Sequence, residues 1–171
     1  MSEATKEQAR EHGLIARVFH WGFIVVFVYA LLKQLDAIEQ LQDPDLLRFE
    51  MVFAMGFLAL LAVRFTYMRI TMPTALPAST SPRLKVLARA GHLAMYLSLA
   101  TMAISGLAIG AIYSSGSPEG AGMRIAMFFH ENAILVAYLS IGLHIAAAVF
   151  HRLKGDGIWS SMVPIWKETQ N

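Results

Sequence analysis

Histidine is the residue type through which this chain can do chemistry. Three of its six histidines, His130, His144 and His151, fall within one apolar stretch from Arg124 to Arg152. Ionisable side chains inside a membrane-crossing segment are costly and by default mark a functional site. His130 and His144 lie fourteen residues apart. On an α-helix that spacing is a rotation of about 1400°, within roughly 40° of whole turns, and a rise of about 21 Å. Both imidazoles therefore leave the helix on one side, at two depths in a hydrocarbon core about 30 Å thick. Such a helix could offer an axial ligand to each of two stacked haems. The plainer alternative is a pair of core histidines hydrogen-bonded to a neighbouring helix. The in-phase spacing, with more histidines on other apolar segments, weighs toward ligation.

The elements that must position these side chains follow from composition. Hydrophobic residues make up 56% of the 171, charged residues only 15%, and mean hydropathy is +0.51. A soluble domain averages about 45–50% apolar and about 25% charged. The excess lies in four long blocks, so the expected fold is an all-α integral membrane four-helix bundle. It forms a single domain over 1–171, with spans at about 14–32, 46–68, 90–113 and 124–151. The absence of cysteine excludes disulfides, iron–sulfur clusters and thiolate metal sites. Net charge is +2 and the pI is about 9.0, read here as membrane topology and not as nucleic-acid affinity. The polar start, residues 1–13, has no basic segment followed by an apolar run, so no cleaved signal peptide is expected. His12, in that lead, reads as a solvated side chain.

The first span carries Arg17, His20 and Trp21. His20 lies about 13 Å beyond Glu11, and His144 about 12 Å before Arg152. If spans one and four share a membrane face at those ends, the two imidazoles are level, as a haem with two histidine ligands requires. The second span contains no histidine and ends near Arg64. His92 stands near the start of the third, whose Gly91, Ser98, Ser105, Gly106 and Gly110 allow close helix approach or a flat ring. Loops are expected at 33–48, 69–89 and 114–123. The tail, with Trp159 and Trp166, reads as an amphipathic segment on the membrane surface. From Arg64 onward, the second connection carries Arg64, Arg69, Arg83, Lys85 and Arg89 without an acid. It is therefore placed in the cytoplasm with both termini, and His130 falls in the outer half.

A haem iron between two imidazoles has no open position and passes single electrons. His130-Glu131 opens like a zinc motif, but Ile134 stands where the second histidine is needed. A proton relay through His130 and Glu131 is the other use open to these residues.

Arg17-Val-Phe-His20-Trp21, Gly91-His92, His130-Glu131, Gly142-Leu143-His144 and the tail with Asp156 and Met162-Val-Pro164, in this order on four spans, resemble the bacterial cytochrome b561 family. The resemblance covers nearly the whole chain. It implies a haem b held by His20 and His144, and a second, outer haem held by His130 and a histidine near the start of span two. This sequence departs there: Leu47-Arg48-Phe49-Glu50-Met51 has no histidine. Three readings are open. The outer haem is absent, or Met51 or Met55 supplies the ligand opposite His130, or Glu50 takes that place. Arg17 and Arg64 are candidates to pair with haem propionates or are ordinary interfacial arginines. His92 is a hydrogen-bond or proton donor at a quinone site or a structural helix-start residue, and His151 a snorkelling surface residue.

The resemblance implies electron exchange in the bacterial inner membrane between a quinone, such as ubiquinone, and a soluble or periplasmic redox partner or superoxide. The alternatives are an anchor subunit of a larger dehydrogenase or hydrogenase, and a non-redox proton-moving protein. No nucleic-acid partner is expected, and a homo-oligomer is compatible with the sequence.

Overall fold

Four long helices hold most of the described residues. The computed structural model describes residues 13–33, 35, 37–71, 76, 80–116 and 118–167; His12 and Glu11 lie outside them. Helix α1 is Leu14–Leu32, α2 Pro44–Thr71, α3 Pro82–Ser114, α4 Ala121–Lys154, and a short α5 Ile158–Met162 follows. Each of the first four is long and apolar enough to cross a membrane. The outer faces carry the apolar side chains that a soluble protein would bury; Leu143, for example, is 72% exposed. Lipid tails are as apolar as these residues, so close packing and small side chains, not water exclusion, bring the helices together.

Local chemistry sets the helix ends. Asp43 Oδ1 accepts from the Asp45 and Leu46 amides at 2.9 and 3.4 Å, and Pro44 opens α2 without an N–H to satisfy. Ser81 Oγ accepts from the Leu84 amide, and Pro82 opens α3 in the same way. Gly155, at φ 69°, ends α4 in the left-handed conformation that only glycine adopts freely.

The helices reach beyond most of the expected spans. Helix α1 covers 14–32; α2 runs 44–71 around the expected 46–68, α3 82–114 around 90–113, and α4 121–154 around 124–151. The largest change comes from the cap at Ser81 and Pro82. Arg83, Lys85 and Arg89, expected in a loop, ride on a helical extension of α3. That helix is 33 residues and about 50 Å long, well beyond a hydrocarbon core of about 30 Å. His92 is therefore not at a helix start. The first connection is not all loop, since Ile38–Gln42 form a 3₁₀ turn whose Leu41 is buried.

Helices α3 and α4 are the most closely packed pair, and α2 lies on α3. Helix α1 leans mainly on α2, and its backbone has little contact with α4. At mid-height Phe23, Phe27, Phe57, Leu61, Leu99, Ala103 and Ala137 form one buried cluster, drawn from all four helices. A second cluster, of Leu41, Ile109, Met123 and Ala126, closes the end that carries the 3₁₀ turn and the α3–α4 connection. That end is called outer below, and the end covered by α5 inner, following the orientation read from the charges.

Candidate functional site

At the inner end each long helix contributes one polar side chain to the same place: His20 from α1, Arg64 from α2, His92 from α3 and His144 from α4. The rings of His20 and His144 have centroids 6.4 Å apart at 69°. Those of His92 and His144 are 5.3 Å apart at 75°. His92 Nδ1 donates to the Ala88 carbonyl at 2.7 Å, one turn back on its own helix. A carbonyl only accepts, so the proton is on Nδ1 and Nε2 keeps its lone pair.

Arg64 is the costly member of the group. Its Nη2 donates to His20 Nδ1 at 2.9 Å, and its guanidinium lies 5.2 and 5.7 Å from the ring centroids of Phe23 and Tyr96. Aromatic faces offset part of the desolvation of a buried cation. Among the described residues, Arg64 Nε is buried without a hydrogen-bond partner. A guanidinium deep in a bundle with one nitrogen unsatisfied fits an anionic group that completes its fork.

The tail covers this end. Arg17 Nε donates to the Ser161 carbonyl at 3.2 Å, and Trp21 Nε1 to the Met162 carbonyl at 3.2 Å. Ser161 is 1% exposed. The start of the tail is tied to the bundle: α5 docks against α1, with the Trp21 indole as one of its clamps. Gly155 and Gly157, at φ 69° and 83°, allow the reversal. Asp156, between them, is 2.7 Å from His151 Nδ1 and 3.3 Å from Lys154 Nζ, and its other oxygen accepts from the Ile158 amide. His151 is therefore held by a carboxylate instead of snorkelling alone. Partial burial would raise the Asp156 carboxyl. The hydrogen bonds from His151 and Ile158, the His151 charge and the Lys154 hydrogen bond outweigh it and hold the group below its ordinary value.

His130 stands apart, in the outer half. Its Nδ1 is 3.0 Å from the Met102 carbonyl and 3.0 Å from Ser105 Oγ. Ser105 Oγ itself lies 2.6 Å from the Thr101 carbonyl, to which it donates. Nδ1 is thus the protonated nitrogen, and Nε2 carries the lone pair. A cavity of about 410 Å³ opens beside it, lined by Glu50, Met51, Gly106, Gly110, His130 and Glu131 among others. Met55 is on the bundle's surface, 52% exposed.

The sequence reading is thus sorted by geometry. His20, His144, His92 and Arg64 come together, Arg17 goes to the tail, and His130 shares a cavity with Glu50 and Met51. The parts missed are those with no sequence signal of their own: the Met102 carbonyl behind His130, and Phe23 and Tyr96 around Arg64; Ser105, read only as a small residue, also accepts from His130.

The sequence pattern described as prokaryotic cytochrome b561 matches residues 11–164. Comparisons with curated proteins and with solved structures gave no match.

Proposed function

The chain belongs to the prokaryotic cytochrome b561 family, and from that premise we propose that His20 and His144 are the two axial ligands of a haem b at the inner end of the bundle. Members of this family carry haem b and transfer electrons within the membrane. The observation that carries the assignment is the separation of the two rings. Imidazoles on opposite sides of one metal ion, each bonded at about 2.0–2.1 Å, have centroids about 6–6.5 Å apart; the distance here is 6.4 Å. The sparse backbone contact between α1 and α4 supports the same reading, because a flat ring needs the helices held apart where it lies.

Haem b supplies reversible one-electron chemistry at a potential set by its ligands, burial and hydrogen bonds. The protein's own groups do the rest. An imidazole that binds a metal through Nε2 carries its proton on Nδ1, so with haem bound Arg64 would no longer donate to His20 Nδ1, and its guanidinium, with Nε unpaired, would be the group to pair with a propionate. His92, beside His144 with an accepting Nε2, takes and returns a proton at this end. The α5 cover, held by Arg17 and Trp21, limits water. A site that handles one electron and one proton at the membrane's inner edge suits a quinone as one partner and a second redox partner beyond the membrane.

Haem retention in the purified protein tests the assignment. His20→Ala and His144→Ala should each abolish the α-band of the reduced inner haem. Full haem content in both variants would overturn it.

A further inference from the structure

We propose that Lys85, Arg89 and His92 form a port on the inner face through which a soluble one-electron partner of net negative charge exchanges electrons with the centre held by His20 and His144. The proposal rests on that pair being the haem site; it adds the chemistry of the partner and the side from which it comes.

Four observations carry it. First, His92 joins surface to site. It is exposed, yet its ring centroid lies 5.3 Å from that of His144. Second, two cations lead to it along α3. Arg89 is three residues before His92, about 4.5 Å along the axis and about 60° round. Lys85 is seven before, about 10 Å along and about 20° round. This stripe faces the mouth of the bundle, since Lys85 and Ala88 on it are half-buried. Arg83, nine residues before His92, leaves the helix on the far side, about 180° round, and is exposed.

Third, nothing at this end offsets the positive charge. From Met51 to Pro118 the chain contains no acid. Asp156, the one acid at the inner end among the described residues, is held by His151 and Lys154. Among the described residues, Arg89 has no hydrogen-bond or ion-pair partner. A mouth lined by one sign of charge concentrates the opposite sign and speeds its encounter. The outer end, with Glu39, Asp43, Asp45, Glu119 and Glu131, has the reverse character.

Fourth, the outer half offers electrons no relay. Among the described residues lining its cavity, His130 is the single imidazole. His130 and Met51 lie against one face of α3, at Gly106 and Gly110, about one turn apart. No gap is left between them for a ring, so that donor set does not fit a haem. A partner in water therefore has to reach the inner end. The exchange there is of one electron, with no bond or proton transferred: the partner is oxidised as the centre is reduced, or the reverse. Anionic lipid headgroups are the other anions within reach, but they favour cations on the lipid-facing side of a helix, and this stripe faces the bundle.

The experiment uses the full-length, haem-loaded protein in nanodiscs of zwitterionic lipid, with inorganic ions as probes. With the haem reduced and diamagnetic, paramagnetic hexacyanochromate(III) should broaden the ring signals of isotopically labelled His92 and leave those of His130 sharp. The broadening should weaken in Arg89→Gln and Lys85→Gln and persist in Arg83→Gln. Ferricyanide, which takes one electron from the reduced protein, gives the rate. At about 10 mM salt Arg89→Gln should slow it about fivefold, the effect of one charge about 10 Å from a triply charged anion in water. Arg83→Gln should slow it no more than about twofold, and Arg89→Lys should keep the wild-type rate. Hexaammineruthenium(III), a triply positive oxidant, should instead react faster with Arg89→Gln. Equal ferricyanide rates in Arg89→Gln and Arg83→Gln, or His92 signals untouched by the chromium probe, would overturn the proposal. So would loss of the broadening when anionic lipid is added, which would assign the stripe to headgroups. Absence of haem from the purified chain would defeat the reading of the inner site; the His92 broadening, which needs no haem, still decides the anion contact.

Discussion

Arg64 shows how much a single side chain can be asked to do. Burying a guanidinium is expensive, and here it is surrounded by Phe23, Tyr96 and the His20 ring, with Nε unpaired. A hydrogen bond to a charged group is worth about 1.5–3 kcal/mol. Losing the proposed bond from Arg64 to a haem propionate should therefore weaken retention of the inner haem about 10- to 150-fold. Arg64→Met, which keeps much of the stem's packing, should show that loss in haem-transfer measurements. Arg64→Lys should recover part of it, since an ammonium supplies the charge without the planar fork. Equal haem affinity in all three proteins would mean that Arg64 serves packing only.

Among the elements, α3 is the reference against which the others are set. It packs along α4, carries α2 on its flank, and holds His130 from behind through Ser105 and the Met102 carbonyl. The absence of side chains at Gly106 and Gly110 creates the groove that His130 and Met51 enter. Gly110→Val should destabilise the bundle by about 1–3 kcal/mol through overpacking against Met51, read as a lower midpoint in thermal unfolding in detergent. Gly142→Ala is the control. A methyl there meets nothing within 4 Å, and the midpoint should hold or rise slightly, since alanine favours the helix.

For the molecule as a whole, closure at the inner end depends on the tail, and the tail on Asp156. Its folded pKa is depressed, so the carboxylate's contribution is fully present above the unfolded value, near 3.9, and fades as pH falls through the lower folded value. Protection of the tail from proteolysis should therefore be unaffected by this group from neutral pH down to about 4 and decline below that. Asp156→Asn should lose protection at neutral pH, and so should the double variant Arg17→Ala, Trp21→Phe, which removes both clamps on α5. Orientation is testable because the chain has no cysteine, so an introduced thiol labels without background. Thr80→Cys, beside the basic start of α3, should react only from the cytoplasmic side, and Glu119→Cys, in the α3–α4 connection, only from outside. The reverse pattern would invert the topology drawn from the arginines and lysines.

Apolar length and charge placement, which are properties of the chain itself, determined that four helices would cross a membrane. The first span was legible to the residue, because its polar flanks are abrupt. The third was not, because a helix capped by Ser81 and Pro82 continues into water with charged side chains that read as loop. Histidine spacing likewise placed His130 and His144 at two depths on α4. Only the tertiary structure decided what each imidazole meets. That His92 stands against His144, that Arg64 reaches His20, that α5 folds back over the site, and that Met51 shares a groove with His130 all depend on how the helices rotate about their axes. Rotation is fixed by contacts between segments distant in sequence, such as Gly110 with Met51 and Arg17 with Ser161. No spacing within one helix encodes it.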